Sequence, residues 1–149
     1  MGRYINNEDL KIKGDYKMKN LLLTFTLLTL IFSSFSLNAS EKINILDEKT
    51  VVELWQNEQA LFVNALPPEM FKQERIPGSV NIPANNPVTF YEKLGEINKD
   101  KKIVTYCAHG KCKASEATAL FLLSKGFSDV NEYKGGIKGW KSGNYPVEP

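Results

Sequence analysis

Ile103-Val104-Thr105-Tyr106-Cys107-Ala108-His109-Gly110-Lys111-Cys112-Lys113-Ala114-Ser115 is the stretch on which the reading of this chain turns. Its first four residues are apolar, β-branched or aromatic, and they follow the charged run Lys99-Asp100-Lys101-Lys102. A compact run of that kind, after a solvated connection, reads as a buried strand. Beyond the loop, Ala114, Ala117, Leu120, Phe121 and Leu123 imply a helix, and Gly126 marks its end. Strand, short loop and helix in that order form part of a βαβ unit, from which parallel sheets are built.

The same alternation continues on both sides. Ile43-Asn44-Ile45-Leu46 reads as a short strand, and Asp47 as the N-cap of a helix with Glu48 in its first turn. Val51, Val52, Leu54 and Trp55 group on one face of that helix. Ala60 to Val63 is a second buried strand, ended by Pro67-Pro68, and Glu69 to Lys72 forms one helical turn. Ile76-Pro77-Gly78-Ser79 is a turn into a brief strand at Val80 to Ile82, which Pro83 stops. Phe90, Leu94 and Ile97 recur at helical spacing after the loop Asn85-Asn86-Pro87. Val130 to Tyr133 is a last strand, Gly135-Gly136 turns the chain, and Ile137 to Trp140 closes it with a helical turn. The expected fold class is α/β: one domain over residues 40–149, with a central, mostly parallel sheet flanked by helices.

Ligands of such sheets sit beyond the carboxyl ends of the strands. Cys107 follows Tyr106 directly, so its position alone makes it a site candidate. Gly110 lets the loop adopt conformations that other residues resist. A loop of this kind can turn its backbone N–H groups toward one point, and the helix behind it adds the positive end of its dipole. The thiolate, not the thiol, is the nucleophile, and an ordinary cysteine pKa of ~8.5 leaves little of it at neutral pH. A helix terminus worth about 1–2 kcal/mol lowers that value by roughly one unit. Convergent N–H groups and the charges of Lys111 and Lys113 are expected to take it further. Cys107 is therefore expected to ionise without a general base. The one histidine of the chain, His109, lies in this same loop.

The run from Leu61 to Trp140 resembles the rhodanese-like domain. The matching pieces are LFVNA (Leu61 to Ala65), RIPGSVNIP (Arg75 to Pro83), IVTYCAHGKCKAS (Ile103 to Ser115), LLSKGF (Leu122 to Phe127) and VNEYKGGIKGW (Val130 to Trp140). The resemblance implies a three-layer domain and a sulfurtransferase in which Cys107 takes sulfane sulfur from a donor, becomes a persulfide and passes that sulfur on. It further implies that Ala108, His109, Gly110, Lys111 and Cys112 cradle the transferred sulfur. The span from Cys107 to Cys112 matches the six-residue, sulfur-sized loop rather than the longer one of phosphatase-like relatives. Implied partners are a small sulfur donor, thiosulfate or polysulfide-like, and a thiophilic acceptor; no cofactor is implied. Cys112 stands where the family often has Arg or Ser, which leaves thiosulfate specificity open. Lys111 and Lys113 can act there as point charges without the bidentate geometry of Arg. Asn64 and Leu66 occupy positions where Asp and Arg are common, and Arg75 replaces a frequent His. These three read as structural.

Each sharp reading has a plainer one beside it. Cys107 as an inert buried thiol is the alternative to a nucleophile. Cys112 is either a small filler or a redox partner that can bridge to Cys107. His109 and the two cysteines crowd within six residues and cannot complete a usual zinc tetrahedron, so no metal is expected. Trp55 and Trp140 read as core or lid residues. Against the sulfurtransferase stand a non-catalytic binding module that keeps the fold, and a thiol protein regulated through Cys107 and Cys112.

Charge excludes one class. Of the formal +2, residues 1–40 supply all, with five Lys/Arg against three Asp/Glu, and residues 41–149 carry 14 of each. A neutral domain has no general electrostatic reason to bind nucleic acid. Met18-Lys19-Asn20, the 12-residue run Leu21 to Phe32 and the small-residue exit through Ala39 form the pattern of a secretory signal peptide. The run falls short of the ~20 residues that span a bilayer, so no stable membrane span is expected once the signal is cleaved. Export to the periplasm or another extracytoplasmic space is expected, with residues 1–39 an upstream leader and signal peptide and Met18 a candidate start; a retained membrane anchor is the alternative reading of the same run.

Overall fold

Asp47 shows how closely local chemistry sets this fold. Its Oδ1 accepts the Thr50 N–H at 2.8 Å and so caps helix α1, Glu48–Gln56. The protein is described here by a computed structural model covering residues 43–93 and 95–149, all within one compact unit, Glu41–Pro149. The leader read from residues 1–39, and Leu94, lie outside the described residues.

Five strands form one sheet: β1 Asn44–Leu46, β2 Leu61–Asn64, β3 Val80–Asn81, β4 Ile103–Tyr106 and β5 Val130–Tyr133. Their spatial order is β1-β5-β4-β2-β3, and every pairing is parallel. β4 is thus the middle strand, with Tyr106 level with Asn64 on one side and Tyr133 on the other. It is buried along its whole length, as its continuous apolar run demands.

Alternate side chains of the strands feed two cores. Phe62, Val104, Tyr106 and Tyr133 pack with Val51, Val52 and Leu54 of α1 and with Ile137 and Trp140 of helix α5, Gly136–Ser142. Val63, Ile103 and Val130 pack on the other face with Ala119, Leu122 and Leu123 of helix α4, Ala114–Ser124. Helices thus cover both faces of the sheet, the three layers expected. Each such side chain, fully buried, contributes about 1.5–3 kcal/mol. Trp55 meets Trp140 edge-on at 5.3 Å, which places both in the packing rather than at a site. At Gly126 (φ +86°) α4 ends in a Schellman arrangement: Gly126 N–H donates to Leu123 O and Phe127 N–H to Leu122 O.

The expected turn of helix at Glu69 to Lys72 is present as α2, Pro68–Phe71. The helix expected through Phe90 and Ile97 is shorter. α3 spans Pro87–Glu92, Gly95 takes φ +71°, and Ile97 reaches the core from irregular chain beyond it. Tyr91, rather than Phe90, is the aromatic of α3 that packs on this core, meeting Phe121 and Phe127 edge-on. Among the described residues no helix is long and apolar enough to cross a membrane.

Candidate active site

Cys107 leaves β4 at its carboxyl end, and the chain then runs through Cys112 before α4 begins at Ala114. The loop is braced internally: Cys112 N–H donates to His109 O at 2.9 Å, and Lys111 N–H to His109 Nδ1 at 3.2 Å. It is also braced from outside. Ile137 N–H donates to Cys107 O at 2.8 Å and Lys138 N–H to Ala108 O at 3.0 Å, so the first turn of α5 holds the loop's base. His109, Gly110, Lys111 and Lys113 are exposed, while Ala108 and Cys112 are half-buried. An open groove beside the loop is lined by His109, Gly110, Lys111, Gly135 and Lys138.

Cys107 itself is 2% exposed, packed against Ala65 and Leu66 with Ala108, Cys112 and Ala114 around it. Its sulfur has polar company. Ser115 Oγ lies 3.3 Å away, His109 O lies 3.8 Å away, and Cys112 packs beside it. Both cysteines are free.

The expected electrostatics need correcting. The loop amides do not all serve Cys107: the backbone N–H groups of Ala108 and Ala114 favour the Cys112 thiolate, and that of Ser115 favours the Cys107 thiolate. Lys111 and Cys112 N–H are already spent within the loop. Burial pushes the Cys107 thiol up, the neighbouring Cys112 adds to this, and Ser115 offsets it only in part. Burial acts against ionisation at Cys112 too, but there the neighbouring Cys107 thiol and the two amides outweigh it and pull the thiol down. The outer thiol, half-buried, is thus the one whose surroundings favour ionisation.

One part of the site escaped the sequence reading. Ser115 Oγ lies 2.6 Å from Glu132 Oε1, and Glu132 Oε2 lies 2.9 Å from Lys134 Nζ. Glu132 is 2% exposed. The available signal was an acidic residue inside a strand whose neighbours are all buried, a position where charge is costly unless paired. Asn64, Leu66 and Arg75, by contrast, are structural as read. Asn64 Oδ1 accepts Leu66 N–H at 2.8 Å, and Arg75 pairs with Glu148 at 3.0 Å while lying over the Phe71 ring.

A parallel α/β sheet with a braced cysteine loop at the end of its middle strand makes this an α/β domain with a candidate cysteine site. Comparison with known proteins narrows the class. The family model for the rhodanese-like domain matches residues 47–143, and the chain belongs to that family. The thiosulfate sulfurtransferase GlpE of Pseudomonas syringae pv. syringae is 34% identical over 89 residues, which is 60% of this chain and 78% of the relative. The enzyme of the same name from Glaesserella parasuis serovar 5 is 31% identical over 96 residues, covering 64% and 84% of the two chains. A crystal structure of a Lactobacillus plantarum protein superposes with a TM-score of 0.60 at 26% identity, over 85% of this chain and 97% of that one. The thiosulfate sulfurtransferase of Pseudomonas aeruginosa shares the fold, with a TM-score of 0.59 at 19% identity over 74% of this chain and 21% of its own. The protein is a rhodanese-type sulfurtransferase.

Proposed function

We propose that Cys107 carries the transferred sulfur as a persulfide, taken from a thiosulfate- or polysulfide-like donor and delivered to a thiophilic acceptor. The observation that carries this reading is the placement of Cys107 at the end of the middle strand, beneath a six-residue loop and 3.3 Å from Ser115 Oγ. In the first half-reaction the Cys107 thiolate attacks the sulfane sulfur, and the donor's remainder leaves with the bonding electron pair. In the second, the acceptor attacks the outer persulfide sulfur and Cys107 leaves as thiolate, so the kinetics are ping-pong. Lys111 and Lys138, exposed on the groove wall, favour an anionic donor as point charges. Cys112 in the loop's last position offers no guanidinium fork to a sulfonate, which favours polysulfide-like over thiosulfate donors. The test is intact-mass analysis after exposure to thiosulfate or to polysulfide. One added sulfur on the wild-type chain, absent from Cys107→Ser, is the expected result; no adduct with either donor would refute the reading.

A second reading of the same loop rests on the packing of Cys112 beside Cys107, with both thiols free. Closure to a disulfide would bury the nucleophile and protect it from overoxidation. Thiol counting before and after reductant, on protein taken from an oxidising compartment, reads this directly. The signal-peptide pattern ending at Ala39 supports export to such a compartment.

A further inference from the structure

Ser115 Oγ has one hydrogen and two claimants, Glu132 Oε1 at 2.6 Å and Cys107 Sγ at 3.3 Å. It cannot donate to both at once. While Glu132 is a carboxylate, the shorter, charge-assisted bond takes the hydrogen, and the Ser115 oxygen is left able to accept from the Cys107 S–H, whose other acceptor, His109 O, lies farther off at 3.8 Å. If the cysteine proton moves to Ser115 as the serine proton moves to Glu132, the same three groups are satisfied in reverse. Ser115 then donates to a Cys107 thiolate and accepts from a Glu132 carboxylic acid. Both arrangements use the same short contacts.

From this geometry we propose that Glu132 is a positioning residue that receives the Cys107 proton through Ser115, making the buried thiolate at the moment of sulfur transfer. The inference rests on the sulfur-carrier reading of Cys107 and adds to it the missing proton acceptor. His109, the chain's one histidine, is exposed and turned to the Lys111 N–H, so it does not fill that role.

Charge conservation explains why a buried site would be built this way. Losing the Cys107 proton to solvent would put a second negative charge beside buried Glu132, at the cost of desolvating both. Passing the proton along the chain of hydrogen bonds keeps one negative charge throughout. The groups facing Glu132 fit both states. Lys134 Nζ holds the carboxylate at 2.9 Å, and once Glu132 is protonated Lys134 still faces Glu116 Oε2 at 3.8 Å. Glu116 is held in turn by Lys113 at 3.2 Å. The remaining titratable neighbours are the Cys107 and Cys112 thiols themselves.

The proton balance closes over a cycle. Cys107 S–H gives its proton to Ser115 Oγ, and the Ser115 hydrogen passes to Glu132 Oε1. The thiolate attacks a sulfane donor, forming the Cys107 S–S bond while the donor's S–S bond breaks and the leaving group, sulfite for thiosulfate, keeps the electron pair. When the acceptor removes the outer sulfur, the released Cys107 thiolate takes the proton back along the same path.

The test uses alkylation of Cys107 by iodoacetamide against pH, a reaction that needs no sulfur donor. Failure of the relay is then distinguishable from failure of the persulfide reading, which intact mass with donors reports separately. In a Cys112→Ser background, the proton shared between Cys107 and Glu132 adds a rate component that does not change with pH, so the profile between about pH 6 and 8 is expected to be shallower than about tenfold per unit. In Glu132→Gln the thiol ionises alone, and the rate falls about tenfold per pH unit over the same range. Ser115→Ala keeps the Glu132–Lys134 ion pair, breaks the path, and is expected to follow Glu132→Gln. It serves as the reading should Glu132→Gln fail to fold. A carboxylate that only braces the loop would shift the rate without changing its slope. Parallel pH profiles for the parent and a folded variant would therefore overturn the proposal.

Discussion

A Cβ on Gly136 would lie 2.5 Å from the carbonyl oxygen of Cys107. Gly136 also holds φ at +60°, a conformation that side chains resist. The close approach lets Ile137 N–H reach that same carbonyl at 2.8 Å, so the start of α5 is fastened to the proposed sulfur carrier. Gly136→Ala must either change this backbone or push the loop away. The expected cost is about 2–4 kcal/mol in denaturant unfolding, with sulfur transfer impaired in the fraction that remains folded. Gly110→Ala, whose Cβ would meet only Lys134 O at 3.3 Å, is expected to be milder in both measurements.

Cys112 is expected to be the first thiol labelled. It is half-buried and its thiol is pulled down, whereas Cys107 is buried and its thiol is pushed up. Limiting iodoacetamide near neutral pH should therefore modify Cys112 before Cys107, and raising the pH toward the ordinary thiol range should narrow the gap. Peptide mass mapping of partly labelled protein measures the order. Labelling of Cys107 first would mean that the loop amides serve the inner sulfur after all.

Much of this was legible in the sequence because the chemistry that sets it is local. Asp47 announced a helix start by its acceptor oxygen, Gly126 a helix end by its freedom at positive φ, and Ile103 to Tyr106 a central strand by unbroken burial. The position of Cys107 just after a strand's carboxyl end was legible too, since Ile103 to Tyr106 runs straight into it. What stayed hidden depends on neighbours distant in sequence. Ile97 matched helical spacing by coincidence, since a core position can be filled equally from irregular chain after Gly95. The direction of the loop amides is set by the bonds from Ile137 and Lys138, which no pattern within the loop encodes. Glu132 meets Ser115 across 17 residues of chain, through packing of α4 on β5.

Tyr106 offers a control that separates stability from chemistry next door to Cys107, the proposed nucleophile. Its hydroxyl accepts the Ile76 N–H at 3.0 Å and shares a 2.8 Å hydrogen bond with Ser79 Oγ, all of it buried. Tyr106→Phe removes both and leaves the Ile76 N–H without a partner. A loss of about 1–3 kcal/mol is expected in urea unfolding. Because the hydroxyl points to the Ile76 turn, on the face of the sheet opposite α4, kcat/KM at a temperature where both chains are folded should stay within about threefold. A larger loss of activity without a loss of stability would connect the Ile76 turn to the cysteine loop.

Asp129 ties the start of β5 to the end of the Lys99–Lys102 connection, and its contribution should depend on pH in one direction. Its Oδ2 pairs with Lys102 Nζ and its Oδ1 accepts from Asn131 Nδ2 at 2.7 Å. Burial acts to raise its pKa, but the hydrogen bonds from Lys102 and Asn131 and the Lys102 charge outweigh it, and the carboxyl is held below the ordinary value. A depressed folded-state pKa means that the unfolded chain binds the proton more readily. The stabilisation is therefore complete above the unfolded value near ~3.9 and is lost as pH falls through the folded one. With the Lys102 and Asp129 side chains 37% and 36% exposed, solvent screening limits its size to about 0.5–1 kcal/mol. Chemical denaturation of the wild-type chain and Asp129→Asn should differ by that amount at about pH 7, and the difference should close as pH falls below the folded-state value. A gap that persists at acid pH would assign the effect of Asp129 to packing rather than to its charge.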